Sequence, residues 1–215
     1  AKRWDGNYTI SPGKSLKLRH RIYFHHGTTE AAKVAEEYKA YAGKVTGMPA
    51  QPVGFRHARI TDAWSTYAGM LTFGQGQTLA LVDDGCKMTM PEWTAEVNGV
   101  PKVCATYDAV DGDNNPKHEG RGYHGSTIGI PSSVNLNGKL GVAYNNQVAM
   151  VRGLECCHCN IRDSKSLAIA LQWVMDNHER HRITTVNLAP VDDKAHSVPV
   201  NTEIDAKLKA LRKAG

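Results

Sequence analysis

The strongest constraint on the fold is a short apolar segment, residues 78–82 (TLALV), which stands between a glycine-containing turn and two aspartates. An apolar run of this length without polar alternation is typical of a strand buried on both faces of a parallel sheet. Parallel neighbours must be joined by crossover connections, which are usually helices. The segment therefore predicts an α/β fold in which Asp83 and Asp84 follow a buried strand.

From residue 61 onward, strand-like and helix-like segments alternate, as an α/β fold requires. Apolar positions in residues 164–177 recur at helical spacing, so this segment is predicted to be an amphipathic helix. We expect a three-layer domain with a mostly parallel sheet of about four strands flanked by helices. The other predicted strands are residues 101–109, 147–151 and 183–188, and the other predicted helices are a short one that begins at residue 61, then 124–133 and 202–214.

The first part of the chain has a different pattern. Alternating apolar residues at 16–24 predict one strand, and residues 31–41 (AAKVAEEYKAY) are rich in helix formers. Residues 43–54, which include two prolines, predict a linker. We therefore predict two domains, a small strand–helix appendage at residues 1–55 and the main domain at residues 56–215.

The composition excludes several classes of protein. Hydrophobic residues make up 41% of the chain and charged residues 22%, which is globular rather than disordered. No apolar run approaches the roughly 20 residues that cross a bilayer, and the N-terminus lacks the apolar core of a signal peptide. The net charge is +5, but the basic residues are scattered and form no nucleic-acid-binding module. We expect neither nucleic acid nor a membrane as a partner.

Two polar residues stand in settings that suit catalysis. Asp83 follows the buried strand directly, where a rigid scaffold can hold its carboxylate against a histidine. His124, in the segment GYHGST, begins a predicted helix of small residues, and histidine is the usual general base near neutral pH. Each residue also has an ordinary interpretation. Asp83 could simply belong to a turn that ends the strand before Gly85, and His124 could be a surface histidine.

The joint order of five segments resembles the subtilisin-like serine peptidases, the subtilases. The match covers about residues 60 to 215 and comprises the family's aspartate motif, its acidic loop with the His-Gly-Thr motif, a Gly-Val-Ala turn, a helix and the next strand. In order, these are residues 74–85 (GQGQTLALVDDG), 111–126 (DGDNNPKHEGRGYHGS), 140–146 (LGVAYNN), 166–177 and 185–188 (TVNL).

The resemblance implies a partial subtilisin-like fold, a polypeptide substrate, a secreted protein and the chemistry of peptide hydrolysis. In that scheme Asp83 orients the histidine, His124 is the general base, and Asp84 is only a neighbour of the catalytic carboxylate. The residues that fall at the edge of the family's substrate cleft are Asn187, Ala189 and Pro190.

Three places in the sequence depart from the family's pattern. Ser126 replaces the threonine of the His-Gly-Thr motif, and Tyr144 replaces a proline after Gly-Val-Ala. The pair Ala189-Pro190 stands where the family has Ser-Leu-Gly, and proline removes a backbone donor of the kind that holds peptide substrates. We therefore expect substrate binding to differ from that of the family.

A larger departure is the missing nucleophile. The 215 residues contain no Gly-Thr-Ser, and the chain stops before the family's oxyanion asparagine would appear. Loss of the nucleophile costs such a site about 10⁶-fold in rate, so we expect no peptidase activity from these residues alone. Two alternatives remain open: a non-catalytic binding or scaffold module, and a different hydrolase that uses Asp83 and His124 with a metal.

The expected partner follows from the sheet edge that a chain of this extent leaves after its fourth strand. Unpaired backbone groups at such an edge recruit another chain. We therefore expect a homo-oligomer or a complementing C-terminal fragment.

Metal ligands can be proposed at three further places. Three thiols and an imidazole lie close together in residues 156–159, where Cys157, His158 and Cys159 are candidate zinc ligands, although the usual spacing of two intervening residues is missing. The acidic run Asp108, Asp111 and Asp113, or the turn at residues 135–140, are weaker candidates for calcium. With five cysteines, at least one is unpaired in a monomer.

Overall fold

The computed structural model describes residues 28, 52–117, 124–155, 165–189 and 201–214. Apart from Thr28, all of them lie in one compact unit, Lys44–Gly215. The predicted appendage at residues 1–55 lies almost wholly outside the described residues, so the two-domain division stays a prediction. No helix in the described ranges is long and apolar enough to cross a membrane.

The elements are named here in chain order. They are α1 Val53–His57, α2 Ile60–Thr66, β1 Thr78–Asp83, α3 Pro91–Thr94, β2 Glu96–Val97, β3 Val100–Pro101, β4 Val103–Asp108, α4 His124–Ile128, α5 Ile130–Ser133, β5 Asn135–Leu136, β6 Lys139–Leu140, β7 Gln147–Arg152, α6 Lys165–His181, β8 Ile183–Leu188 and α7 Thr202–Ala214.

The central sheet has four parallel strands in the order β4-β7-β1-β8. It confirms the α/β prediction, including the four predicted strands. Strand β1 has a neighbour on each side, and its last residue, Asp83, lies in register with Arg152 at the end of β7. Because all four strands are parallel, their carboxyl ends lie at one edge of the sheet, where functional groups of such folds collect.

Both faces of β1 are covered, as its continuous apolar sequence predicts. Ala80 and Val82 belong to one buried cluster, together with residues of α6 such as Leu171. Leu79 and Leu81 belong to a second cluster on the opposite face. Because side chains alternate along a strand, the alternation continues from Leu81 to Asp83 and directs that carboxylate to the second face.

Helix α6 extends four residues beyond its predicted end. It continues to His181 and stops where Arg182 takes a left-handed backbone conformation (φ 53°). The final carbonyls are then satisfied by the first residue of β1, since Thr78 donates its hydroxyl to the His181 oxygen (2.6 Å) and its N–H to the Arg182 oxygen (2.9 Å). A contact between residues about one hundred positions apart ends the helix, so the local periodicity did not reveal its end.

Two short hairpins were not predicted. Each has an Asn-Gly turn in which both residues have positive φ, at Asn98-Gly99 between β2 and β3 and at Asn137-Gly138 between β5 and β6. Asn-Gly between two extended segments is the strongest short-range hairpin signal and could have revealed both. The second hairpin occupies the turn that was considered for calcium.

Other predicted bounds also differ from the structure. Helix α1 begins at Val53, inside the predicted linker. The predicted helix at 124–133 is two helices, α4 and α5, with Pro131 in the first turn of the second. The predicted strand at 101–109 is divided by Lys102, with Pro101 in the β2–β3 hairpin and β4 beginning only at Val103.

Lys102 is an unusual core residue because its side chain is fully buried. Its Nζ donates to the backbone oxygens of Tyr144 (2.9 Å) and Asn146 (2.6 Å). These bonds hold the segment that leads into β7. Burial lowers the pKa of the Lys102 ammonium from its ordinary 10.5 to about 8.

This burial predicts a pH-dependent stability. Between about pH 8 and 10.5 the unfolded chain holds the Lys102 proton and the folded chain does not, so the free energy of unfolding should rise with pH. Relative to Lys102→Met, which cannot titrate, wild type should gain about 3 kcal/mol across this window in urea unfolding. Exposed Lys139→Met is the control for loss of a charge. Parallel curves for wild type and Lys102→Met would contradict the prediction.

Candidate active site

Asp83 and His124, which are 41 residues apart in the chain, form a hydrogen bond. His124 Nδ1 lies 2.7 Å from Asp83 Oδ1, with the aspartate side chain 3% exposed and the imidazole 38% exposed. An ionised carboxylate only accepts hydrogen bonds, so Nδ1 is the donor and the lone pair of the neutral ring lies on Nε2. The aspartate thus fixes both the ring and its tautomer.

The charge of Asp83 is set by opposing effects. Burial is the largest and raises the pKa of the carboxyl, while the hydrogen bonds from His124 and from the backbone N–H of Asp84 (2.8 Å) lower it. The protonated form of His124 lowers this pKa further, and the charge of Asp84 raises it. The balance leaves the pKa of Asp83 above its ordinary value, so its ionisation depends on the bond to His124.

The helix that carries His124 is tied to the segment after β1 by hydrogen bonds. The N–H of Gly125 donates to Asp84 Oδ1 at 3.0 Å, and the N–H of Lys87 donates to Ser126 Oγ at 2.7 Å. Ser126 in turn donates to Cys86 Sγ at 3.4 Å. These bonds join the aspartate motif to the histidine motif and hold α4 against the edge of the sheet.

Gly125 is required by the close approach of these two segments. A methyl group at its Cα would overlap the carbonyl oxygen of Gly85 and would lie 3.0 Å from Asp83 Cβ. Only glycine lets the helix backbone come this near to the strand end. The small residues after His124 predict a close approach to a strand, and the structure identifies Gly125 as the residue at the contact.

The predicted substrate-binding residues have different outcomes. Asn187 and Ala189 lie at the end of β8 and just beyond it, and both are half-buried. Asn187 lines a cavity of about 330 Å³ with residues such as Ser132, and neither Asp83 nor His124 is among its described lining residues. The structure therefore brings together Asp83 and His124, while a substrate role for Asn187 and Ala189 stays a prediction. Pro190 lies outside the described residues.

The predicted metal ligands also separate. Cys157, His158 and Cys159 lie outside the described residues. In the acidic run, Arg152 Nη1 binds Asp108 Oδ2 at 3.0 Å and Asp111 Oδ2 at 2.8 Å, while Asp108 Oδ1 accepts backbone N–H groups. Both oxygens of Asp108 are thus engaged, which explains the acidic run as a partner of a buried arginine rather than as a calcium site.

One further group could hold a metal ion. Asp83, Asp84 and His124 each offer a ligand atom, and these atoms lie within 4.8 Å of one another. Sequence reasoning treated Asp84 only as a neighbour, although two adjacent carboxylates after a buried strand were a visible signal.

Comparisons with known proteins bear on the fold. No protein-family model matches the chain, and no curated protein matches it in sequence. Among solved structures, the CspB protease of Clostridium perfringens matches with a TM-score of 0.52 at 18% identity, over 71% of this chain and 36% of its own. A cold-adapted subtilisin-like serine proteinase has a TM-score of 0.48 at 19% identity, over 66% of this chain and 44% of its own. Sphericase has a TM-score of 0.45 at 14% identity, over 83% of this chain and 49% of its own.

The match to the CspB protease supports a class of fold. The sheet and its helices, with the match to the CspB protease, show a subtilisin-like α/β fold over part of the chain. At 18% identity the likeness extends to the fold alone. The chain spans less than half the length of each of these three structures.

The contact at Gly125 predicts a large effect of a small substitution. Gly125→Ala should lower the free energy of unfolding by about 1–3 kcal/mol or more, because the added methyl group meets backbone that cannot rotate away. Gly54→Ala is a matched control, since Gly54 is also the second residue of a five-residue helix and has no atom within 4 Å of a Cβ. Urea unfolding measures both, and equal effects of the two substitutions would contradict the packing argument.

Proposed function

We propose that this chain carries the general-base half of a subtilisin-like serine peptidase site, and that the whole protein hydrolyses peptide bonds. The observation that supports the proposal is the 2.7 Å hydrogen bond between His124 Nδ1 and the buried Asp83 carboxylate. The subtilisin-like fold supports it further, because the pair lies at the carboxyl edge of a parallel sheet.

The proposed chemistry assigns one step to each group. His124 Nε2 accepts the proton of a serine hydroxyl as its oxygen attacks the peptide carbonyl, and the ring becomes a cation. Asp83 stabilises that cation through the bond to Nδ1. The proton then passes from Nε2 to the leaving amine, which restores the neutral ring and leaves an acyl-serine ester for water to hydrolyse.

The attacking serine is proposed to come from polypeptide outside these 215 residues. The sequence contains no Gly-Thr-Ser, and the hydroxyls of several described serines already make structural bonds. Ser126 accepts the Lys87 N–H, Ser132 donates to the Gly129 oxygen, and Ser133 accepts from the Asn146 amide. These bonds give none of the three the setting of an activated nucleophile.

The other parts of the proposal rest on the fold and the family resemblance. We propose a polypeptide substrate, a cleft edge at Asn187, Ala189 and Pro190, and a place of action outside the cell. A complementing segment that carries the serine would also cover the outer edge of β8, which has no strand partner among the described residues.

A serine-directed fluorophosphonate tests the proposal on the full-length gene product. It should label one serine outside residues 1–215, with loss of fluoride and formation of an Oγ–phosphorus bond. His124→Ala should slow labelling by about 10⁶-fold and Asp83→Asn by about 10⁴-fold. Exposed His57→Ala is the matched control and should label at the wild-type rate.

Mass spectrometry of the labelled site separates the outcomes. A labelled serine within residues 1–215 would show that the nucleophile is misassigned. A full-length protein that folds but never labels would contradict the serine mechanism and leave a non-catalytic binding module or a hydrolase that uses no serine. Labelling that is indifferent to His124→Ala would remove the histidine from the mechanism.

Metal-assisted hydrolysis is a second candidate function, favoured by the grouping of Asp83, Asp84 and His124. Zinc accepts histidine nitrogen and carboxylate oxygen ligands, and a zinc-bound water is a nucleophile near neutral pH. Such a site would need no serine at all.

Metal analysis distinguishes this candidate from the first. If it is correct, purified protein should hold about one zinc per chain, and both the metal and esterase activity should be lost on dialysis against a chelator. Asp62→Asn, an exposed aspartate, is the control for His124→Ala and Asp84→Asn. Metal-free protein whose fluorophosphonate labelling resists the chelator would exclude the metal mechanism and support the serine one.

A further inference from the structure

Asp84 is fully buried, although the proposed chemistry gives it no step. Its Oδ1 accepts the backbone N–H of Gly125 at 3.0 Å. The first N–H groups of a helix have no partner within the helix, and Gly125 is the second residue of α4. A carboxylate from a distant strand end therefore satisfies a donor that would otherwise lose its hydrogen bond in the interior.

The bond from the Gly125 N–H to Asp84 lies next to the residue that carries the imidazole ring. The Gly125 N–H belongs to the peptide group that follows His124, so its orientation is coupled to the Cα from which the imidazole projects. Asp83 holds the ring of the same histidine, and the Asp84 N–H donates to the Asp83 oxygen that accepts from Nδ1. Two consecutive aspartates thus hold the ring and the backbone of one histidine.

We propose that Asp84 is a positioning residue, which sets the Nδ1-to-Oδ1 geometry of the His124–Asp83 pair by anchoring the Gly125 amide. This inference rests on the proposed general-base role of His124. The function lies in the acceptor oxygen rather than in the negative charge. The Lys87–Ser126 bond holds α4 independently, so loss of the Asp84 acceptor should disturb the histidine without releasing the helix.

Two variants separate the acceptor from the charge. Asp84→Asn keeps an oxygen of nearly the same shape, whereas Asp84→Ala removes it. Wild-type protein should show a low-field proton resonance for the His124 Nδ1–H and slow exchange of the Gly125 amide. Asp84→Asn should retain both signals, and Asp84→Ala should lose the resonance and exchange the Gly125 amide at least tenfold faster. Asp83→Asn serves as the reference for loss of the resonance.

The positioning role also predicts how the same two variants change the kinetics of the full-length protein. A displacement of about 1 Å at a catalytic group can cost about 100-fold in rate. Asp84→Ala should therefore lower kcat by about 10- to 100-fold with KM unchanged, and Asp84→Asn should restore most of it. A purely structural role would lower the amount of folded enzyme and leave the kcat per folded molecule unchanged.

The magnetic resonance readout needs no nucleophile, so it tests Asp84 even if the peptidase proposal fails. Retention of the Nδ1–H resonance in folded Asp84→Ala would overturn the inference. Loss of the resonance in Asp84→Asn would also overturn it, because the charge would then be the active feature. If Asp84→Ala does not fold, Asp84→Asn and the exchange of the wild-type Gly125 amide decide the question.

Discussion

The burial of strand β1 on both faces and both edges is the constraint on which the rest of the structure depends. It has β7 on one side and β8 on the other, and all six of its residues are buried. The backbone carbonyl oxygen of Asp83 also accepts the N–H of Gly153 (2.9 Å). The strand end therefore has almost no freedom, and the carboxylate that it carries is fixed before any partner approaches.

The cost of that rigidity is a carboxylate in the interior. Burial disfavours the ionised form, as the raised pKa of Asp83 shows, and the hydrogen bond from His124 is the largest effect that opposes it. The pair is thus mutually dependent, since the aspartate needs a donor and the histidine needs an orienting acceptor. Burial raises the pKa of the nearby Cys86 thiol to about 11, so this thiol stays protonated near neutral pH and is no preformed thiolate.

The sequence predicted what depends on local pattern. Residues 78–82 predicted β1, helical periodicity predicted α6, and the two motifs predicted that Asp83 and His124 would meet. It did not predict contacts that only the folded chain creates. The cap that Thr78 provides for α6 and the burial of Lys102 depend on residues far away in the chain. Neither a threonine nor a lysine in the sequence indicates such a role.

The aspartate and histidine motifs are best understood as one unit of structure. Gly125 lets the helix approach, Asp84 accepts its amide, and the Ser126 hydroxyl accepts the Lys87 N–H. The departure from threonine at Ser126 therefore costs little at this contact, because serine and threonine offer the same hydroxyl acceptor. Since each motif supplies the hydrogen-bond partners of the other, a chain that keeps both can hold an oriented histidine, as the proposed peptidase chemistry requires.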